Sequence, residues 1–290
     1  MFILLIRSLI AADKADVHTT TGHGILIASW FFPFSTDISK MAWQFFIGAL
    51  ALSFVGSPVL AANSGDLARV LAGEDCVKCN LKGADLSGVN LAGRNLGGAK
   101  LDAAKFVGAN IAGANLSGAK LVAADFTNAK AAGAQFVISN LDDSIFTGAE
   151  LEAADFTSAR MDAVKLQGVR ADGAIFSKAK MRAADFTGAR LPGANFNGTK
   201  APAGIFDKTL MDGALLRYAK MFGASFKDAS LPGADFTEAG LWRVDFMGAK
   251  LDGTKFINAY LKLAKFPKGL KGVDFCGATM PDGKSNFNAC

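Results

Sequence analysis

From Leu81 onward the chain places an apolar residue at every fifth position: Leu81, Leu86, Leu91, Leu96, Leu101, Phe106, and on through Leu261 to Phe266. None of these 38 consecutive centres is polar, and the smallest are Ala131, Ala171 and Ala201. Two residues before each centre lies a second, small position. Of the 37 such sites from Ala84 to Ala264, 26 are Ala, and Arg94 is the misfit. A five-residue step fits no ordinary element. In an α-helix it advances about 140° and scatters the centres round every side. In a flat strand an odd step alternates faces and sends half the centres to water. The centres share one side only if the chain bends in every repeat. Gly two residues after many centres, as at Gly83, Gly88 and Gly93, suits such a turn. Stacked turns of this kind make a solenoid around a continuous apolar column.

The units Ala84-Asp85-Leu86-Ser87-Gly88, Ala114-Asn115-Leu116-Ser117-Gly118 and Ala154-Asp155-Phe156-Thr157-Ser158 resemble the A-(D/N)-(L/F)-x-x unit of the pentapeptide-repeat family. The resemblance covers roughly residues 80–270. It implies an all-β fold, a right-handed quadrilateral parallel β-helix with four repeats, or 20 residues, per coil. The repeats then fill about nine to ten coils, a rod about 45 Å long at ~4.8 Å per coil. Centres whose number ends in 6 are mostly Phe, and those ending in 1 are mostly Leu, Met or Ala. In a square coil this puts rings on two opposite walls and aliphatic side chains on the other two.

The rest of the chain divides around that solenoid. Residues 41–62, MAWQFFIGALALSFVGSPVLAA, carry no charge. The apolar run, Ser57-Pro58 and the small residues Val59-x-Ala61 form a secretory signal pattern with cleavage after Ala61, and hence an exported protein. An uncleaved membrane anchor is the alternative, since the stretch is just long enough to span a bilayer. Residues 1–40 read as an upstream extension, and a misassigned start would explain them. Residues 62–80 form the amino-terminal cap, with a short helix over Asp66–Ala72 that has Asp66 as N-cap and Leu67, Val70 and Leu71 on one side. Residues 81–270 are the solenoid, and 271–290 an irregular carboxyl-terminal cap.

Four cysteines fall at the two ends. Cys76 is in phase with the centres and Cys79 with the small inward positions, and by its number Cys276 is also in phase. In an exported chain an even count favours two local disulfides, Cys76–Cys79 and Cys276–Cys290, each bracing a cap. A redox-active C-x-x-C is the sharper alternative, without the βαβ surroundings it usually has. Asn80 stands where a c-type haem motif needs His.

Charge and composition narrow the chemistry. Both histidines, His18 and His23, precede the apolar segment, so the body has no imidazole for a nucleophile system or a metal site. No catalytic residue, cofactor or metal is expected, and no small-molecule substrate. The carboxylates lie on convex walls without a cleft. The net charge of +5 opposes mimicry of duplex DNA. Direct binding of nucleic acid by a cytoplasmic form suits the charge but conflicts with export.

Sorted by a twenty-residue coil, the excess charge falls on one wall. The wall centred on Leu81, Leu101 and onward carries ten outward cations against four acids, and the other three are close to neutral. Its carboxyl-terminal half sets Lys180, Arg182, Lys200, Lys220, Arg243 and Lys262 among Phe222, Trp242 and Tyr260, with no outward acid between Lys180 and Leu263. This strip is the candidate surface for an unknown protein or anionic partner. The plainer alternative is that Phe222 and Trp242 cover each other while the lysines are simply solvated. A membrane is expected to matter only through residues 41–61, if they stay uncleaved.

Overall fold

The computed structural model describes residues 62–286, so the signal-like segment 41–61 and Cys290 lie outside the described residues. Within them, every centre from Leu81 to Leu261 is buried. Residues 20 apart form parallel bridges in unbroken series, from Asn80 with Lys100 to Asp245 with Lys265. The centre's N–H donates to the carbonyl 19 residues ahead, as from Leu101 to Lys120 at 2.7 Å. The residue before the next centre donates back, as from Lys120 to Ala99 at 2.9 Å. Each circuit of the chain is thereby paired to its neighbours, and the fold is a β-helix solenoid.

A β-turn follows each centre, closed in most repeats by the N–H three residues on, as from Ala104 to Leu101 at 3.0 Å. The residue two past the centre has a positive φ, which a type II turn requires. Gly is not needed for this. Ala103, Ile138 and Arg243 take φ of 56°, 57° and 59°. For a β-branched residue such as Ile138 that backbone is strained by about 1–2 kcal/mol. Its N–H donates to Thr157 in the next circuit at 3.0 Å, and the stack holds it there.

The inward Phe side chains form two ladders. Rings 20 apart stack nearly parallel, Phe126 on Phe146 at 4.5 Å between centroids. Rings 10 apart meet edge to face across the column, Phe126 with Phe136 at 5.7 Å. Both geometries suit the ring quadrupole. Hydroxyls admitted at the small positions are satisfied by backbone carbonyls, Ser139 and Thr209 donating three residues back at 2.7 Å and Thr199 and Thr254 donating 23 back, into the preceding circuit, at 2.8 Å.

The amino-terminal end is closed by helix α1, Ser64–Leu71. Its N-cap is Asn63 and not Asp66, because the Asn63 side chain accepts the N–H groups of Gly65 and Asp66 at 2.9 and 3.2 Å. The Asp66 carboxylate accepts the N–H of Asn80 at 2.9 Å, and Asp75 does the same for Asn95. These carboxylates replace carbonyls that a further circuit would have supplied. Only Val70 of α1 is fully buried, with Leu67 half-buried against the core. Leu71, expected on the same side, faces solvent.

The carboxyl-terminal end departs from the period. Residue 271 is next in phase with the centres, but it is Lys271, and it is exposed. A charged side chain will not enter the dry column, so the rung opens. The N–H of Leu251 then has no backbone partner among the described residues. One residue is lost between Phe266 and Asp274, and Lys255 bridges to Asp274, 19 ahead instead of 20. Phe275 takes the centre position and stacks on Phe256 at 5.3 Å. Cys276 is therefore one residue past a centre, not in phase as its number suggests.

Candidate interaction surface

Hydrogen bonds set three columns on the wall that begins at Leu81. Before the centres run Lys180, Lys200, Lys220, Gly240 and Tyr260, bridged in that order. Just after them run Pro202, Phe222, Trp242 and Lys262, whose carbonyls receive N–H groups from the preceding circuit at 2.8–3.0 Å. The third column holds Ala203, Gly223, Arg243 and Leu263. All nine expected surface residues are exposed on this wall.

On this wall Lys100 and Lys120, on adjacent rungs of the amino-terminal half, form no ion pair with any described carboxylate, while three other cations are paired. Lys82 meets Asp102 at 3.3 Å, Arg160 meets Asp142 at 2.6 Å and Arg182 meets Asp162 at 3.2 Å. Arg182 is thus one of the paired cations, and its charge is partly neutralised. Lys180, Lys200, Lys220, Arg243 and Lys262 form no ion pair with any described carboxylate. Like charges on adjacent rungs repel, and the ladder of Lys180, Lys200 and Lys220 carries that cost without compensation.

The aromatic residues are arranged around a gap. Gly240 leaves its column without a side chain, and the Phe222 ring leans over it. A Cβ at Gly240 would lie 2.9 Å from Phe222 Cε1. Phe222 and Trp242 therefore do not cover each other as a ring pair. Phe222 is 41% exposed and Trp242 37%. The Arg243 guanidinium sits 4.8 Å from the Trp242 ring centroid, a cation–π contact. Sequence reasoning missed the Gly240 gap and the exposed Leu263 of the third column, although the missing side chain shows once residues are aligned at intervals of 20.

The family model for pentapeptide repeats matches in 8 copies, over residues 79–118, 119–157, 134–170, 159–198 and 229–266. These ranges take in more than half of the chain. It belongs to the pentapeptide-repeat family. Pentapeptide-repeat proteins are also found among solved structures similar to the chain. HetL, involved in heterocyst differentiation regulation in the cyanobacterium Nostoc, is 22% identical with a TM-score of 0.28, covering 76% of this chain and 97% of its own. QnrB1, a plasmid-mediated fluoroquinolone resistance protein, is 23% identical with a TM-score of 0.37, covering 56% and 91%. A thylakoid-lumen protein of Arabidopsis thaliana is 23% identical with a TM-score of 0.25, covering 39% and 68%. No curated protein matches the chain.

Elsewhere the pentapeptide-repeat scaffold offers two other features. Cys76 and Cys79 form a disulfide inside the top of the column, with Cα atoms 5.4 Å apart. The Asp66 carboxylate lies within 4.8 Å of both sulfurs, but these are bonded to each other and not available as thiolates. Cys276 is also disulfide-bonded, while Cys290, its expected partner, lies outside the described residues. At the opened rung a cavity of about 180 Å³ is lined by Lys250, Leu251, Asp252 and the strap from Pro267 to Lys271.

Proposed function

We propose that the chain is an exported, non-enzymatic pentapeptide-repeat scaffold that presents the carboxyl-terminal half of one wall to an anionic partner. In this reading the solenoid is right-handed and four-sided, with about nine to ten coils. Export rests on the residues of 41–61, and a membrane-anchored form would present the same wall. The observation that carries the reading is the run of unpaired cations at Lys180, Lys200 and Lys220 leading into exposed Phe222 and Trp242. Such a strip attracts negative charge over a distance, and its apolar side chains add contact once the partner arrives.

The test is elution from a polyglutamate column. The Lys200→Glu/Lys220→Glu protein is expected to leave at clearly lower salt than Lys130→Glu/Lys250→Glu, which makes the same charge change on the Leu91 wall. Equal elution of the two would remove the wall from the function. A DNA column in parallel addresses direct nucleic-acid binding by a cytoplasmic form, which predicts tighter retention there than on polyglutamate. The exported preparation should begin at Ala62.

A further inference from the structure

Resting on that reading, we propose that the anionic partner is a lipid bilayer surface, on which this half of the wall lies flat. The columns place Phe222, Trp242 and Leu263 in an apolar patch, with Lys200 and Lys220 at one end and Arg243 and Lys262 alongside. Aromatic and aliphatic side chains entering the headgroup region, with Lys and Arg reaching phosphates beside them, are the composition of an interfacial membrane contact. Trp242 already carries Arg243 against its ring, and that guanidinium can turn to a phosphate as the indole enters the interface.

Other anionic partners fit the geometry less well. Each rung of this wall is hydrogen-bonded to the rungs on either side, so an acidic strand cannot add to it. The centres beneath, Met221, Leu241 and Leu261, are fully buried. The wall therefore has no opening into the core in which a protein partner could anchor a side chain. Phe222 and Trp242 sit on adjacent rungs ~4.8 Å apart, too close for a nucleic-acid base to slot between their rings. A planar, diffuse, negatively charged partner needs neither a pocket nor a free edge.

The experiment uses the full chain with Trp30→Phe and Trp43→Phe, leaving Trp242 as the sole indole. Tethering by residues 41–61 then cannot imitate the signal, because the readout is the surroundings of Trp242 itself. Vesicles of brominated phosphatidylcholine and phosphatidylglycerol in equal parts should shift Trp242 emission to the blue and quench it. Adding Lys200→Glu/Lys220→Glu should raise the lipid concentration needed by roughly tenfold or more, while Lys130→Glu/Lys250→Glu leaves it unchanged. Equal quenching by phosphatidylcholine alone would overturn the proposal. So would unchanged emission on the anionic vesicles. If soluble polyglutamate then shifts Trp242 where vesicles do not, the lipid surface falls and the anionic-partner reading stands; if neither shifts it, both fall.

Discussion

At its amino-terminal end the apolar column is closed by Val70 of α1, by the Cys76–Cys79 disulfide and by two carboxylates that accept backbone N–H groups. At its carboxyl-terminal end the last centres, Phe266, Phe275 and Met280, are only half-buried, and a rung stands open beside Lys271. Both ends meet the same requirement, since a stack of paired circuits must finish somewhere without leaving polar backbone in a dry place. The first end meets it by substitution, with side chains supplying what an absent circuit would have given. The second meets it by interruption, where one charged residue in a centre position stops the pattern. Termination is thus encoded by particular residues, and exchanging them should change the two ends in opposite directions.

The largest effect is expected from Val70→Asp. A carboxylate forced into the closed top has no cation to meet it, and the loss should be roughly 3–5 kcal/mol. The matched Leu270→Asp, at the half-buried end, should lose less than about 1 kcal/mol. Urea unfolding gives both values, and hydrogen exchange should show the amides of Leu81 and Leu86 opening first in the Val70 variant. Similar losses at the two positions would mean that the ends are equally closed.

Lys271→Leu should act in the other direction. Leucine restores the fivefold pattern, lets the rung close onto the N–H of Leu251 and fills the cavity. The gain should be up to about 2 kcal/mol in urea unfolding. An unchanged or lowered midpoint would shift the cause of the opening from Lys271 to the Pro267–Gly269 strap.

The column and its two Phe ladders were legible because 38 centres carry the same information many times over. The failures come where information occurs once. A single residue lost between Phe266 and Asp274 is invisible in a tail without repeats, and it carried Cys276 out of the phase its number suggested. The N-cap was placed on Asp66 because Asp is a good cap, yet Asn63 caps as well and leaves Asp66 free to accept from Asn80. Turns at Ala103 and Ile138 need a positive φ that their side chains give no sign of. The twenty-residue register was enough to group the nine side chains of the candidate wall on one exposed face. It was not enough for their pairing, because whether Arg182 is spent on Asp162 depends on a neighbour in another circuit.

The smallest effect lies just below the closed end, at the outer edge of the first complete circuit. Asp85 accepts the N–H of Ser87 at 3.1 Å. The Ser87 hydroxyl first, then this N–H, and after them the charge of Lys105, hold the Asp85 carboxyl below its ordinary value. Since the folded value lies below the unfolded one, the associated stability is present above the unfolded value and is lost as pH falls through the folded one. The group is exposed, so the contribution to unfolding should be too small to read directly, and the titration itself is the measurement. Carboxyl NMR should show Asp85 protonating at lower pH in the wild type than in Ser87→Ala. An identical midpoint in the two proteins would show that the Ser87 hydroxyl does not hold this carboxylate, since the N–H of residue 87 is present in both.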